Sequence, residues 1–547
     1  MRKIIWILGV VCMALPGLAS AGLDEGIAAY KRGDFKTALT EFKAAAAEKN
    51  PDAQFKLGYM YVNGQGVPRD ESEAVKWYTL AANQGDADAQ FNLGLMYDND
   101  QGILKDQSQA VKWYTLSAKQ GNAHAQVNLG RMYANGQGVP KNESEAVKLY
   151  TLAAKQGDAV AQYSLGIMSL YGRGVLKDNS EAVKWFTLAA GQGYALAQFN
   201  LGSMYAKGQG VPKDESEAVK WYTLAAKQGY ARAQFNLGSM YANGQWVPRD
   251  DSEAVKWFTL AAKQGDTLAQ YSLGLMSQYG LGALKDESEA VKWYTLAANQ
   301  GDADAQVTLG VMYANGQGVP KDESEAVKWY TLAANQGEAQ AQSDLGLMYH
   351  FGQGVPKDES EAVKWFTLSA KQGDAQAQYN LGAMYHFGQG VPKDESEAVK
   401  WFTLSAKQGF AQAQYNLGHM YDDGQGVPRD DSEAVKWYTL AANQGNADSL
   451  NNLGVMYGNG RSVRKNLILA YALENLAGAK GNALGTQNRD GNEKALTLDQ
   501  LNRAQALSSK MNKDGVFKTI KSYLASREGQ RDNRSFTIKQ VRHSISD

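Results

Sequence analysis

The sequence has almost no cysteine and no excess of charge of either sign. Cys12 is the only cysteine among 547 residues, and it lies in a segment that we expect to be removed. A chain without a thiol forms no disulfide, no zinc–thiolate site and no cysteine nucleophile. The formal net charge is −1, so no strong field favours nucleic acid or an anionic membrane. We therefore expect no nucleic-acid partner and no cofactor.

The apolar run at the N-terminus, residues 4–15, is too short for a comfortable membrane span. Arg2 and Lys3 precede this run, and the small residues Ala19-Ser20-Ala21 follow it. This order is typical of a cleaved export signal. We predict a signal peptide over residues 1–21 and an exported, periplasmic or secreted chain with no stable membrane span after cleavage. An uncleaved N-terminal anchor is the alternative.

The sequence also lacks the motifs of common catalytic sites. It contains no Ser-x-x-Lys with supporting motifs, no His-Glu-x-x-His and no Gly-x-Ser-x-Gly. Its repeated Gly-Gln-Gly-Val-Pro loops follow a helix instead of a strand, and their proline removes an N–H donor that a phosphate loop needs. We therefore predict no catalytic residues, no metal ligands and no enzyme activity.

A 36-residue repeat fills most of the chain. One leucine recurs at every step and is followed each time by glycine: Leu57, Leu93, Leu129, Leu165, Leu201, Leu237, Leu273, Leu309, Leu345, Leu381, Leu417 and Leu453. A fixed period between 20 and 50 residues is the signature of a solenoid, in which each unit packs only on its neighbours.

The repeat at residues 301–336 predicts two helices. Asp302 caps a first helix that runs to about Asn315, and the loop from Gly316 breaks it. Asp322 caps a second helix, and Glu325 stands where a capping box has its carboxylate. We predict that the glycine of the first helix lets a neighbouring helix approach and meet a tryptophan of the second. That tryptophan recurs at Trp77, Trp113, Trp185, Trp221, Trp257, Trp293, Trp329, Trp365, Trp401 and Trp437.

The motif A-Q-x-x-L-G-x-M-Y-x-x-G-x-G-V-P-K-D-x-x-x-A-V-K-W-Y-x-x-A-A-x-Q-G resembles the Sel-one-like repeat family, a relative of the tetratricopeptide repeats. The resemblance implies an all-α, right-handed superhelical solenoid of antiparallel helix-turn-helix repeats, with its first helices on the concave face. It also implies an adaptor or scaffold for protein complexes, often at membranes or in bacterial envelopes.

These patterns give the domain organisation. After the signal peptide, residues 22–50 resemble one tetratricopeptide-like hairpin, and residues 51–483 hold twelve Sel-one-like repeats. The period then stops. Residues 484–525 predict C-terminal capping helices, the first of them capped by Thr497, and residues 526–547 predict a polar, disordered tail.

A comparison of the repeats with one another indicates a binding surface. Positions equivalent to Asp304, Val311, Ala314 and Asn315 vary freely and share one face of the first helix. Apolar and aromatic residues on a face that packing does not fix favour a groove for a partner, with neutral drift as the alternative. The candidate partner-binding residues on this face are Tyr59, Leu95, His124, Arg131, Tyr171, Arg232, Tyr279, His350, Phe351, His386, Phe387 and His419.

Three of the candidates, His350, His386 and Trp246, have specific alternatives. His350 and His386 occupy the same position in adjacent repeats, but we expect no carboxylate to complete a metal site, so a polar-aromatic contact patch is favoured. Trp246 replaces a loop glycine. It is either an exposed contact for a partner or a residue packed on the next loop.

The function favoured by these observations is an exported scaffold that binds one or more protein partners. One alternative is a periplasmic immunity protein that occludes a toxin. A second is an envelope enzyme or penicillin-binding protein, a function suggested for some cysteine-rich relatives that this chain does not resemble.

Overall fold

A computed structural model describes residues 21–532. Within that range the chain forms a succession of α-helices and no β-strand. The contacts divide the chain into two compact units, residues 1–269 and 270–547. The predicted signal peptide, apart from Ala21, lies outside the described residues, as do residues 533–547 of the tail.

The first unit contains α1 (Ala21–Lys31), α2 (Phe35–Ala47), α3 (Pro51–Asn63), α4 (Glu71–Asn83), α5 (Ala87–Asn99), α6 (Gln107–Lys119), α7 (Ala123–Asn135), α8 (Glu143–Lys155), α9 (Ala159–Tyr171), α10 (Asn179–Gly191), α11 (Ala195–Lys207), α12 (Glu215–Lys227), α13 (Ala231–Asn243) and α14 (Asp251–Ala262). Helix α15 (Thr267–Tyr279) contains the division between the units.

The second unit continues with α16 (Glu287–Asn299), α17 (Ala303–Asn315), α18 (Glu323–Asn335), α19 (Ala339–Phe351), α20 (Glu359–Lys371), α21 (Ala375–Phe387), α22 (Glu395–Lys407), α23 (Ala411–Asp423), α24 (Asp431–Asn443), α25 (Ala447–Asn459), α26 (Leu467–Ala479), α27 (Ala483–Glu493), α28 (Leu498–Asp514) and α29 (Val516–Ala525).

Consecutive helices pair as hairpins, so the predicted all-α repeat architecture is confirmed. In each repeat we call the odd-numbered helix, from α3 to α25, the first helix, and the even-numbered helix, from α4 to α26, the second helix. Within residues 21–532, no helix combines the length and the apolar character that a membrane span requires.

The predicted helix ends of the repeat at residues 301–336 are confirmed. The Asp302 carboxylate accepts a hydrogen bond from the backbone N–H of Ala305 at 2.8 Å, and α17 ends at Gly316 with φ 69°. Asp322 accepts from the backbone N–H of Glu325 at 2.9 Å. The predicted capping box is only half formed, because the Glu325 carboxylate turns forward to accept from Lys328 Nζ at 2.6 Å.

The hydrophobic core clusters join consecutive helices. One example contains Ala297 of α16, Leu309 of α17 and Trp329 of α18. The prediction for the glycine is corrected in one respect: Gly310 faces the ring of Tyr330, the residue after the tryptophan. A Cβ atom on Gly310 would lie 2.5 Å from that ring, which explains why glycine is required there.

A buried glutamine, which the sequence analysis left unassigned, joins helices across repeat boundaries within each unit. Gln306 Nε2 donates to the carbonyl oxygen of Ala298 at 3.0 Å, and its Oε1 accepts from Gln336 Nε2 at 2.8 Å. The same glutamine pair recurs as Gln54–Gln84, Gln90–Gln120, Gln126–Gln156, Gln162–Gln192, Gln198–Gln228, Gln234–Gln264, Gln270–Gln300, Gln342–Gln372, Gln378–Gln408 and Gln414–Gln444.

The C-terminal helices pack on the end of the second unit. Helix α27 lies against α25 and α26, α28 lies along α26, and α29 contacts α24 and α28. Thr497 caps α28 with a complete capping box. The chain after Ser526 forms a further helical turn, in which Asp532 accepts from the Tyr523 hydroxyl at 2.7 Å and from Arg503 Nη1 at 2.6 Å. The first residues of the predicted tail are therefore packed.

Candidate functional site

Four exposed aromatic side chains share one position in the repeat, the last residue of the first helix. They are Tyr171 of α9, Tyr279 of α15, Phe351 of α19 and Phe387 of α21, and 62%, 65%, 63% and 66% of their surfaces are exposed. We call this position the aromatic position. Aromatic rings that the fold leaves in water contribute little to its stability, and such rings are enriched among contacts between proteins.

Other repeats carry polar side chains at the aromatic position. The second unit, for example, has Asn315, Asp423 and Asn459 there. The fold therefore does not need an aromatic ring at this position. The aromatic side chains are specific to a few repeats, and two of them, Phe351 and Phe387, lie in adjacent repeats.

Beside Phe351, a histidine, a glutamate and a lysine form a hydrogen-bonded group. His350 Nδ1 lies 2.6 Å from Glu359 Oε2, and Lys357 Nζ lies 2.9 Å from Glu359 Oε1. The His350 ring meets Phe351 edge-on, with 4.6 Å between the ring centroids. Partial burial raises the pKa of Glu359, but the hydrogen bonds from Lys357 and His350 outweigh it and keep that pKa below its ordinary value.

The next repeat contains the same group. His386 Nδ1 lies 2.6 Å from Glu395 Oε2, Lys393 Nζ lies 2.8 Å from Glu395 Oε1, and the His386 and Phe387 centroids are 4.6 Å apart. The pKa of Glu395 is lowered by the same balance of causes. Two copies of one aromatic-and-charged group therefore stand side by side in the second unit.

The carboxylates of these groups were not among the predicted site residues. We expected no carboxylate to complete a metal site with the two histidines, and in the structure each histidine is paired with the first glutamate of the following helix, nine residues later. The available signal was the short loop, which returns the second helix beside the end of the first. Among the described residues, no group of three or more His, Cys, Asp or Glu side chains is arranged to hold a metal ion.

Two candidates on the variable face, Leu95 and Arg131, make contacts between repeats. Tyr59 and Leu95 are half-buried, and Leu95 packs against the core of α6 and α7. Arg131 forms an ion pair with the buried Asp98 of the preceding first helix and donates to Gln137 Oε1 at 2.8 Å. Leu95 and Arg131 therefore contribute to contacts inside the repeat array.

Two of the remaining histidines lie near carboxylates. His124 Nδ1 is 3.6 Å from Asp158 Oδ2, and the hydrogen bond to Asp158 raises the pKa of His124. His419 Nδ1 is 3.4 Å from Asp423 Oδ2. Both side chains remain about half exposed, so they are available on the surface without being free of local partners.

Arg232 and Trp246 do not occupy the aromatic position. Arg232 is exposed at the mouth of an open cavity of about 430 Å³ that it shares with Tyr230. Trp246 has a positive φ of 66° where most repeats have glycine. Its ring is half-buried beside Val247, and Lys213 Nζ lies 5.8 Å from its centroid. Trp246 was predicted to be either an exposed contact for a partner or a residue packed on a neighbouring loop, and this geometry favours local packing.

These features define a class of protein, an all-α array of helix hairpins with a surface suited to binding. The sequence pattern of the Sel1 repeat matches twelve consecutive segments of the chain, and this chain belongs to that family. The segments are residues 51–86, 87–122, 123–158, 159–194, 195–230, 231–266, 267–302, 303–338, 339–374, 375–410, 411–446 and 447–482. The suspected family is thereby confirmed, and its repeats form a non-catalytic scaffold fold.

Solved structures include a protective antigen of uropathogenic Escherichia coli strains that displays an SLR fold. It is 36% identical, and the match covers 81% of this chain and 96% of that chain with a TM-score of 0.74. A Sel1 repeat protein from Oxalobacter formigenes is 38% identical over 56% of this chain and 90% of its own, with a TM-score of 0.46.

The immunity protein Pa5087 from Pseudomonas aeruginosa is more distant. It is 22% identical over 39% of this chain and 81% of its own, with a TM-score of 0.26. Similarity at this level carries no argument about the function of this chain. The comparison with curated proteins gives no match.

Proposed function

We propose that this chain is an exported scaffold that binds a protein partner at the ends of its first helices. The observation that carries the proposal is the set of exposed aromatic rings at a single position in the repeat, 62–66% exposed at Tyr171, Tyr279, Phe351 and Phe387. Membership of the Sel1 repeat family suits a protein-binding scaffold.

The adjacent repeats that contain Phe351 and Phe387 are the centre of the proposed surface. Each ring offers an apolar face for a partner's apolar side chain, and burial of an aromatic ring is a common source of binding energy between proteins. Glu359 and Glu395 already accept hydrogen bonds from histidine and lysine. These hydrogen bonds therefore fix the charged side chains that lie beside the rings, and the rings provide the main contact with the partner.

Export is part of the proposal and rests on two supports. One is the order of charged, apolar and small residues over residues 1–21. The other is the 36% identical relative, which is described as a protective antigen, a property that suits a protein reached by the immune system. N-terminal sequencing of the protein purified from a bacterial envelope fraction tests this part. We expect the mature chain to begin at Gly22, and a chain that retains Met1 in the cytosol would contradict export.

The binding surface is tested by a triple variant, Tyr279→Ala, Phe351→Ala and Phe387→Ala. The matched control changes the same position in other repeats of the second unit, Asn315→Ala and Asp423→Ala. Wild-type, triple variant and control are used to purify partners from envelope extracts, and circular dichroism checks that all three remain folded.

We expect the wild-type protein and the control to retain the same partner and the triple variant to lose it. Loss of three exposed rings removes contacts of about 1–2 kcal/mol each, which weakens binding by at least about a hundredfold. Equal retention of the partner by the folded triple variant would show that the aromatic position is not the binding surface.

A further inference from the structure

A buried glutamate replaces an aromatic ring in the last repeat. In the preceding repeats, the residue of the second helix that faces the glycine of the first is tyrosine or phenylalanine, as in Tyr438 opposite Gly418. Glu474 of α26 stands there instead, and a Cβ atom on Gly454 would lie 2.7 Å from its Cγ atom. Only 1% of the surface of Glu474 is exposed. The last repeat therefore has an ionisable group where the others have an apolar ring.

Helix α27 covers Glu474. Asn492 Nδ2 of α27 donates to Glu474 Oε2 at 2.7 Å. A Cβ atom on Gly485 of α27 would lie 3.2 Å from the backbone carbonyl oxygen of Glu474, so the two helices are in close contact. Helix α27 begins at Ala483 and α25 begins 36 residues earlier, at Ala447. Helix α27 thus takes the place of the first helix of a further repeat and covers the C-terminal end of the array.

Helix α27 is attached mainly by polar contacts. Within this helix, Gly485 is the one buried residue, and Leu484, the one large apolar residue, is 61% exposed. In addition to the hydrogen bond to Glu474, Asn488 Nδ2 donates to Asn451 Oδ1 of α25 at 2.9 Å. A helix that buries so little apolar surface and contains two glycines opens at a low cost in free energy. Its attachment is therefore sensitive to the state of single polar groups.

Neighbouring helices bring no compensating charge to Glu474. The helices that pack along α26 are α25, α27 and α28. Arg489 of α27 pairs with Asp490 at 2.6 Å, and Arg503 of α28 pairs with Asp499 at 2.8 Å. Within residues 21–532, no basic side chain forms an ion pair with Glu474. The other titratable residues of these helices and of α26 are exposed or lie in other contacts: Asp448, Tyr457, Tyr471, Glu493, Lys510, Lys513 and Asp514.

The position of α27 and the protonation of Glu474 are therefore linked. Burial raises the pKa of Glu474 from 4.5 to about 7, although the hydrogen bond from Asn492 lowers it. With α27 in place the protonated carboxyl is favoured, whereas displacement of α27 allows water to solvate the ionised form. Because the closed arrangement binds the proton more tightly than the open one, a rise in pH through the neutral range favours opening.

We propose that Glu474 and α27 form a pH-sensitive switch: α27 stays on α26 while Glu474 is protonated and opens more readily once Glu474 is ionised. Opening exposes the C-terminal end of the array to water, including Ala477 of α26, which is buried under Gly485 in the closed arrangement. The covered end is the form of acidic medium, and the population with an open end grows in neutral and alkaline medium. The switch acts at a different place from the aromatic position of the first helices.

The test is hydrogen exchange of the mature chain at pH 6 and pH 8, with each rate corrected for the intrinsic exchange rate at that pH. Peptides that cover α27 report its opening, and peptides that cover α23 to α25 report the rest of the array end. We expect the opening equilibrium of α27 to be about tenfold larger at pH 8 than at pH 6, since Glu474 changes from mostly protonated to mostly ionised in the closed arrangement between these values.

Two variants make the result specific. Glu474→Gln keeps an oxygen that accepts from Asn492 and carries no charge, so the opening of α27 is expected to change less than about twofold between the two pH values. Glu493→Gln, which removes an exposed carboxylate at the end of α27, is expected to keep the pH dependence of the wild type.

Three outcomes would overturn the proposal. One is equal protection of α27 at both pH values in the wild type. Another is a pH dependence that persists in Glu474→Gln. The third is a loss of protection that spreads equally through α23 to α25, because it would assign the pH effect to unfolding of the whole array end and not to release of α27.

Discussion

Gly166 of α9 lies directly against the ring of Phe186 of α10, and a Cβ atom on Gly166 would stand 2.5 Å from that ring. The same relationship joins Gly310 to Tyr330 and Gly418 to Tyr438. Since glycine lowers helix propensity by about 1 kcal/mol, the close approach of the aromatic ring is the compensating interaction. The hairpin of each repeat depends on this contact.

The substitution Gly166→Ala is therefore expected to destabilise its hairpin by about 1–3 kcal/mol, because an extra methyl group in a filled core displaces its neighbours. The control is Gly191→Ala at the end of α10, where an added Cβ meets no atom within 4 Å. That change is expected to stabilise the helix by about 0.4–1 kcal/mol. Native-state hydrogen exchange of the α9 and α10 amides measures both effects locally. Equal protection of the two variants would contradict the assigned role of Gly166.

The buried glutamine pairs give a second prediction. The substitution Gln306→Met keeps the volume of the side chain but removes its hydrogen bonds to the carbonyl oxygen of Ala298 and from Gln336 Nε2. We expect a loss of about 1–3 kcal/mol, because each of these two hydrogen bonds contributes about 0.5–1.5 kcal/mol. Gln336→Ala is the milder control, because Gln336 is exposed and water can replace its side chain at Gln306 Oε1. Hydrogen exchange across α16 to α18 compares them, and a Met variant as stable as the wild type would refute the joining role.

Asp344 gives a prediction about pH. Burial raises the pKa of this carboxyl from 3.8 to about 6 despite hydrogen bonds from Gln340, and equivalent positions hold Asn380 and Asn416. Because the folded state binds the proton more tightly than the unfolded state, the free energy of unfolding falls as the pH rises between these two values. Above this window the ionised carboxyl destabilises the fold by about 2–3 kcal/mol.

We therefore expect Asp344→Asn to raise stability at pH 7 and to change it little near pH 4. Urea unfolding at both pH values measures the difference. The control Asp423→Asn, at an exposed site, is expected to change stability by less than about 0.5 kcal/mol at either pH. A stabilisation by Asp344→Asn that does not depend on pH would contradict the burial of a charge as its cause.

The sequence was sufficient to predict the repeat and the residues at which its helices begin and end. Caps such as Asp302 and Asp322, and the terminating Gly316, act on the backbone within a few residues, so their effect is written locally. The face that contains Phe351 and Phe387 also followed from helical spacing. The exposure of these rings in the structure agrees with the face predicted for them.

The features that the sequence did not predict depend on contacts between helices, and the spacing of residues along one helix does not reveal such contacts. The partner of Gly310 is Tyr330, next to the tryptophan, and only the packed hairpin distinguishes the two rings. The pairing of His350 with Glu359 needs the loop geometry that brings two helix ends together. The seat of α29 on α24 joins Phe517 to Asn443, which are 74 residues apart. Because Phe517 lies outside the repeats, the repeat pattern does not predict this contact.

The most direct test of the proposed binding surface is photo-cross-linking in intact cells. A photoreactive phenylalanine analogue is placed at position 351 or 387, and in a control at the exposed end of a second helix, position 371 or 407. Proposed binding at the aromatic position predicts that the first two positions cross-link to the same partner protein and that the control positions do not. Cross-links from positions 371 and 407 with none from 351 and 387 would contradict it.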